Sequence, residues 1–366
     1  MMGIDVIVIG AGVAGISAAA ELSEHCKVLL LERELQPGYH SSGRSAAYFA
    51  PAYGNEVVQV MTRESASDYQ YPADFFDDVL LLPRASLFVA EAERMDAIAA
   101  MQESHPWLCR LEGQALRDLV PPLNVAFSVG LLDPEGGDLN VHAIWQGYQR
   151  KFRANGGRIR FDANVVAIEP SSAGWEVRLE QDESIQTSKI VNAAGAWADQ
   201  IAFAANLKGL GLQPKRRTAC LVKPKPEWGI QSWPMVIDID ETVYFKHESG
   251  QLMVSPADET NSPPCDAQPE ELDVAIAIDR YQRLIDHGSA TPSHTWAGLR
   301  TFAPDRTFVV GPDPRADGFY WLAGQGGYGV QSAPALARLA TQLVLGKPTS
   351  EAVKPVLNRI LPDRLL

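Results

Sequence analysis

Residues 4–32 constrain this chain more than any other stretch. Ile4-Asp5-Val6-Ile7-Val8-Ile9 reads as a buried strand, and Gly10-Ala11-Gly12-Val13-Ala14-Gly15 follows at once. A small-residue helix runs from Ile16 to Leu22, and a second strand, Lys27 to Leu31, ends on Glu32. Strand, glycine loop, helix, strand and acid in this order form a dinucleotide-binding βαβ unit. Gly10 permits the tight turn, Gly12 lets the backbone approach a pyrophosphate, and Gly15 lets helix and strand pack closely. The helix N-terminus then presents unpaired N–H groups and a partial positive charge to the phosphates. The carboxylate of Glu32 suits ribose hydroxyls rather than a phosphate. A secretory signal fits the same stretch poorly, because no Lys or Arg precedes the apolar run and Asp5 lies inside it.

At 366 residues, two domains are expected. Apolar residues make up 46 %, enough for a full core, and no uninterrupted apolar run of about 18 residues exists to span a bilayer. A cytoplasmic protein is expected, with any quinone link peripheral or through a carrier. The net charge of −13 argues against a nucleic-acid partner; the densest basic tract is only Lys215-Arg216-Arg217. Cys26, Cys109, Cys220 and Cys265 form no CxxC pair, which suits a reducing compartment. The histidines show no HxH or HExxH spacing, so no metal site is expected.

Two later stretches return to the opening unit. In the first, Val141, Ile144, Trp145, Tyr148 and Phe152 follow the spacing of a helix packed on a sheet. Short strands are expected at 158–161, 165–169 and 175–179, followed by the buried strand Ile190-Val191-Asn192 and the turn Ala193-Ala194-Gly195-Ala196-Trp197. In the second, Gly318 to Ala323 leads into Gly324-Gln325-Gly326-Gly327-Tyr328-Gly329, and Ser332 to Leu345 reads as a helix. Glycines this dense imply a backbone that something approaches closely. Between these stretches lie alternating β-type segments such as Thr242–His247 and Gln251–Ser255, and a loop from Asp258 to Pro269.

Four motifs resemble those of the FAD-dependent D-amino-acid oxidase and dehydrogenase (DAO) family. They are Gly10–Gly15 with Glu32-Arg33; Ser41-Ser42-Gly43-Arg44-Ser45-Ala46-Ala47; Val191 to Trp197; and Trp296-Ala297-Gly298-Leu299-Arg300 with the loop Gly324 to Gln331. Within the family the chain is most similar to the D-arginine dehydrogenase branch, through Tyr39–Ser45, Leu212–Arg217 and Gln325–Gly329. The resemblance implies an α/β fold: a Rossmann-like FAD-binding domain (1–76, 136–200, 298–366) interleaved with a substrate domain on a mixed, mostly antiparallel sheet (77–135, 201–297). It implies non-covalent FAD, with His40 the nearest candidate for a covalent link. Ser41 to Ala46 would pass along the pyrophosphate and flavin, with Arg44 favouring the phosphates. Val165 would meet the adenine through its backbone. Ala194, Gly195 and Trp197, Gly298 and the stretch Gly327, Tyr328, Gly329, Val330 and Gln331 would line the isoalloxazine.

Amine oxidation at a flavin requires the protein to hold the substrate carboxylate and place the Cα–H against the ring. A planar guanidinium suits that carboxylate, and Arg300 matches the family's carboxylate-binding arginine. The resemblance assigns Tyr244 to the same duty, Arg217 to the pocket, Tyr53 to a lid, and Gln325 and the Gly327 carbonyl to the substrate amine. Two positions depart from the branch: Tyr48 stands where it has a histidine, and Ser86 where it has a glutamate that holds a cationic side chain. Without that carboxylate a buried guanidinium lacks its partner, which implies a neutral amino acid, of D configuration, oxidised to an imino acid and then to a 2-oxo acid and ammonia. The electron acceptor would be oxygen, a quinone or a carrier. A 2-hydroxy acid or N-methyl amine substrate, and a flavin-binding subunit without turnover of its own, stay open.

Overall fold

The computed structural model describes residues 3–286 and 288–366. The chain begins with β1 (Ile4–Ile9), α1 (Val13–Leu22), β2 (Val28–Leu31), β3 (Tyr48–Phe49) and α2 (Glu56–Gln70). Next come β4 (Leu81–Pro83), β5 (Ser86–Glu91), α3 (Met95–Ser104), β6 (Cys109–Glu112), α4 (Gln114–Leu119), β7 (Phe127–Asp133) and β8 (Gly137–Leu139). The middle holds α5 (Val141–Ala154), β9 (Arg158–Arg160), β10 (Val165–Ser171), β11 (Gly174–Leu179), β12 (Ser184–Asn192) and α6 (Ala198–Ala204). The rest comprises β13 (Gln213–Val222), β14 (Met235–Asp238), β15 (Tyr244–Glu248), β16 (Gln251–Ser255), β17 (Thr260–Asn261), α7 (Glu271–Leu284), β18 (Pro292–Phe302), β19 (Val309–Pro312), β20 (Phe319–Ala323) and α8 (Ala333–Val344).

The first sheet has β1 at its centre, parallel to β2 on one side and to β12 on the other, with β9 beyond β2. The first half of β12 pairs antiparallel with β11, and its last residues pair parallel with β20. Both faces are covered, which explains the unbroken apolar runs. Val6 and Val8 face α1, α5 and α8, whereas Ile7 and Ile9 face α6 and the β10–β11 hairpin. Helix α1 begins at Val13, three residues before the expected start, because the glycine loop is a single turn. Asn140 caps α5 by accepting from the Ala143 N–H at 3.0 Å, and Trp145 Nε1 on that helix donates to the Ala11 carbonyl at 2.9 Å. The helix thus holds the glycine loop in place.

The second sheet has nine strands, antiparallel except where β14 runs parallel to β5. Its outer face packs on α4 and α7, and its inner face carries Phe88, Ala219, Met235, Ile237, Tyr244 and Met253. Strand β18 pairs with β13 from Gln213↔Phe302 onward, so Gly298 to Phe302 belong to this sheet although the expected boundary fell at 298. Strand β15 starts at Tyr244 rather than Thr242, because Asp238 takes the N–H groups of Thr242 and Val243 into a turn. No helix among the described residues is long and apolar enough to cross a membrane.

Candidate functional site

A continuous cleft runs from Glu32 and Val165, over the glycine loop, to Arg300 and Tyr244 on the inner face of the second sheet. It opens at the carboxyl ends of β1, β2 and β12, where parallel sheets place their ligands. Gly10 has φ +103°, and a Cβ there would lie 2.6 Å from the Ala193 carbonyl oxygen. A Cβ on Gly15 would lie 1.7 Å from the Gly10 oxygen, so this glycine sits inside the helix–strand contact and outside the cleft. Gly12, Val13 and Ala14 line the cleft, with the Val13 N–H donating to Ser42 Oγ at 2.9 Å. Glu32 is buried and accepts from the Ala11 N–H at 2.6 Å and the Glu34 N–H at 3.0 Å. Its carboxylate therefore holds the loop as well as lining the cleft.

The flank 38–47 forms one wall. Ser41, Ser42, Ser45, Ala46 and Ala47 line the cleft, while Gly43 lies behind it, its N–H bound to the Gly38 carbonyl at 2.8 Å. Arg33 also lines it, with its guanidinium 4.9 Å from the Trp197 ring centre and 3.3 Å from Glu34. The Trp197 and His40 rings are tilted against each other with centres 4.5 Å apart, and His40 Nε2 sits 2.9 Å from Glu34. Arg44 lines the cleft too, but its guanidinium is directed to the Asp266 carboxylate and to the carbonyls of Ala267 (2.8 Å) and Ala297 (3.1 Å). It is occupied by protein groups because the loop after β17 folds across it.

On the far wall, Ala194, Gly195, Gly298, Gly327, Gly329, Val330 and Gln331 face the cleft, as does Val165. Tyr328 does not; its ring packs among Tyr53, Phe302 and Phe308. Gln331 is buried and fixed by the Ala50 N–H at 3.2 Å and by Thr62 Oγ1 at 2.9 Å. Gln325 lines the cleft, but its Nε2 donates to the Leu322 carbonyl at 2.9 Å, leaving Oε1 as its remaining polar atom.

The substrate end gathers Arg300, Arg217, Tyr53, Tyr244 and Tyr48. Arg300 packs against the backbone of Gly327, where a Cβ would fall 2.7 Å from the guanidinium carbon. Burial opposes its charge, but the phenols of Tyr244, Tyr53 and Tyr328 hold its pKa above the ordinary arginine value. Tyr53 lies between Arg300 and the Glu241 carboxyl, where it favours the charged form of each. Arg217 lies 5.9 Å from the Tyr244 ring centre; its Nε donates to the Asp258 carbonyl at 2.8 Å. Burial alone would raise the Tyr244 pKa, but Arg300 and Arg217 outweigh it and lower the value.

Glu241 escaped sequence reasoning. It sits at φ +54° in the β14–β15 turn, and an acid between two strands reads as solvent-facing. Solvent reaches it at the cleft mouth, yet the protein crowded around its carboxyl raises its pKa despite Tyr53, Arg217 and Arg300. The one signal was the turn itself, Asp238-Ile239-Asp240-Glu241-Thr242. Ser86 was expected in the pocket, but it lies behind Tyr48, fully buried and outside the cleft. Tyr48 turns its hydroxyl to Ser86 and to the Arg84 carbonyl at 2.6 Å, over the space left by Gly136, and burial raises its pKa. Its ring thus walls off the position where the related branch has an acid. Met235, Ile237, Met253 and Ala219 complete this wall.

The cleft joins the glycine loop and Glu32 at one end to Arg300 and Tyr244 at the other, the arrangement of a dinucleotide site at the carboxyl ends of parallel strands. The family described as DAO, FAD dependent oxidoreductase, matches residues 5–343. Rat mitochondrial dimethylglycine dehydrogenase is 23 % identical over 392 residues, covering 97 % of this chain and 44 % of that protein. The chain therefore spans less than half the length of that relative. Mouse peroxisomal sarcosine oxidase is 26 % identical over 387 residues, covering 96 % of this chain and 94 % of the other. The structure of L-proline dehydrogenase from P. horikoshii has the same fold, with a TM-score of 0.84 at 19 % identity and 98 % of both chains covered. Because the family match extends through both sheets and the cleft between them, this chain belongs to the DAO family of FAD-dependent oxidoreductases.

Proposed function

We propose that this enzyme oxidises the carbon–nitrogen bond beside the carboxylate of a neutral amino acid, of D configuration, giving an imino acid that water converts to a 2-oxo acid and ammonia. Arg300 carries this reading. It is a recessed guanidinium that forms no ion pair among the described residues, and an unpaired buried charge costs several kcal/mol, on the order of 3–5. An entering carboxylate supplies the missing partner.

Bound FAD supplies the hydride acceptor. The chain's own residues bind and orient. Arg300 and the Tyr244 hydroxyl hold the carboxylate, and Arg217 adds positive charge behind Tyr244. Glu241, Arg217 and Arg300 act on one another's charge across Tyr53, which favours the ionised form of Arg300. The Cα hydrogen then leaves as hydride while the amine releases a proton to solvent.

Charge matching supports a neutral side chain. Among the described residues the carboxylates lining the cleft are Glu32, bound to the glycine loop, and Glu241, already faced by Tyr53, Arg217 and Arg300. The wall of Met235, Ile237, Met253, Ala219 and the Tyr48 ring offers dispersion contacts and no countercharge for a cation. N-methyl amines form a second reading, favoured by the names of the sarcosine oxidase and dimethylglycine dehydrogenase relatives.

The test is anaerobic mixing of the FAD-loaded protein with single amino acids while the flavin's visible absorbance is followed. Fast bleaching by neutral D-amino acids with apolar side chains, with ammonia released on turnover, supports the proposal. Equal rates with D-arginine would remove the neutral-substrate argument, and equal rates with L-enantiomers would remove the stereochemical one. Bleaching by N-methyl amino acids alone would establish the second reading.

A further inference from the structure

Arg44 stands where a phosphate ligand was expected, yet its guanidinium is occupied by other groups. Its Nη2 pairs with Asp266, Nη1 donates to the carbonyls of Ala267 at 2.8 Å and Ala297 at 3.1 Å, and Nε donates to the Tyr39 carbonyl at 3.2 Å. The Tyr39 ring lies 5.1 Å from the guanidinium carbon, and its hydroxyl donates to the other Asp266 oxygen at 3.2 Å. The Arg44 backbone takes part too, its carbonyl accepting from Trp296 Nε1 at 3.2 Å. Ser41 Oγ donates to the Leu299 carbonyl at 2.5 Å. Gly298 makes this close approach possible, since a Cβ there would stand 3.3 Å from the Arg44 Cβ.

Three pieces of chain meet at this point: the flank 39–45, which walls the cleft; strand β18; and the loop between β17 and α7. We infer that Arg44 and Asp266 form a latch that fastens the flank to the second sheet and so sets how slowly FAD leaves, and that Arg44 is not a phosphate ligand. The inference rests on membership of the FAD-dependent family and assigns Arg44 a positioning role.

The two roles differ in what Asp266 does. If Arg44 served the phosphates, Asp266 would be a competing anion, and neutralising it would tighten FAD. If the two residues are one latch, removing either opens it, and removing both adds nothing. The Arg44 side chain is 15 % exposed and that of Asp266 47 % exposed, so salt reaches the pair and weakens it.

The experiment measures FAD release from the holoprotein, by the rise in flavin fluorescence after dilution, for wild type, Arg44→Gln, Asp266→Asn and the double variant at low and high salt. Release should speed up about three- to tenfold in each single variant, as for a part-exposed charged pair. The double variant should release no faster than the singles, and all three should lose the wild type's acceleration by salt. Tyr39→Phe, a milder change that leaves the ion pair, should speed release by a smaller factor. Proteolysis of the 258–269 loop in the apoproteins, compared with wild type, should be faster in the single variants. An Asp266→Asn protein that holds FAD as tightly as wild type or more tightly, while Arg44→Gln releases it, would overturn the latch. Additive effects in the double variant, or no effect in any, would do the same.

Discussion

Arg300 depends on its neighbours for its usefulness: a recessed guanidinium, kept charged by phenols and packed on a glycine backbone, forms no ion pair among the described residues. Arg300→Met should lower kcat/KM about 10²- to 10³-fold, the order lost when one partner of a desolvated pair is removed, while FAD still binds. Steady-state kinetics beside a flavin titration checks both halves. Glu241 acts one residue further out. Its ionised form is the one that Tyr53, Arg217 and Arg300 favour, and its pKa lies above the ordinary glutamate value of 4.5, chiefly through desolvation. Activity should therefore rise with pH through that raised value as the carboxylate forms. Glu241→Gln should flatten this acid limb and lower the plateau by about tenfold, the order of one charge interaction beside the two arginines. An unchanged pH profile of kcat/KM would remove Glu241 from this role.

At the scale of elements, the β1–α1 junction is the least tolerant place in the molecule. Gly15→Ala would put a methyl 1.7 Å from the Gly10 oxygen, where backbone rather than a flexible side chain must move. The cost should be about 3 kcal/mol with loss of FAD, seen as a lower melting temperature and a colourless protein. This junction was legible in the sequence because its glycine spacing is local and Gly15 answers to Gly10 within the same loop, although Gly10 itself is pressed by Ala193 of the neighbouring strand. The same holds for α5, whose apolar spacing and Asn140 cap lie within one segment. The β14–β15 turn was not legible. Glu241 reaches the cleft only because Asp238 organises the turn and β13–β18 bring Arg217 and Arg300 to face it. Ser86 shows the converse, since its neighbour in space, Tyr48, decides whether it meets the pocket.

For the whole molecule, acid stability gives a measurable sign. Asp313 is buried between β19 and β20, accepting from Arg315 Nε at 2.8 Å and Trp321 Nε1 at 3.0 Å, while Arg315 also reaches the Lys208 carbonyl at 2.9 Å. Burial opposes its charge, but Arg315 and Trp321 lower its pKa below the ordinary aspartate value of 3.8. A depressed folded-state pKa means that its contribution is complete above that value and is lost as pH falls through the folded one. Asp313→Asn should thus cost about 2 kcal/mol at neutral pH. The gap from wild type should narrow as pH drops below 3.8, which thermal melts across acid pH would record. A constant gap at all pH values would mean that packing, not charge, is what the aspartate contributes.

The sequence by itself determined the glycine cradle, its strand and helix, and the family, and it named Arg300, which the cleft reaches. These follow from spacings of a few residues, where chain geometry leaves one arrangement open. Tertiary structure alone decided that Glu241 lines the cleft and Ser86 does not, what Arg44 holds, and which side chains stand beside Arg300. Those outcomes join residues separated by 222 positions, as in Arg44 and Asp266, or by strands that meet only when the second sheet closes. A polar side chain takes whichever partner folding brings within reach, because burying it unpaired costs more than any local preference.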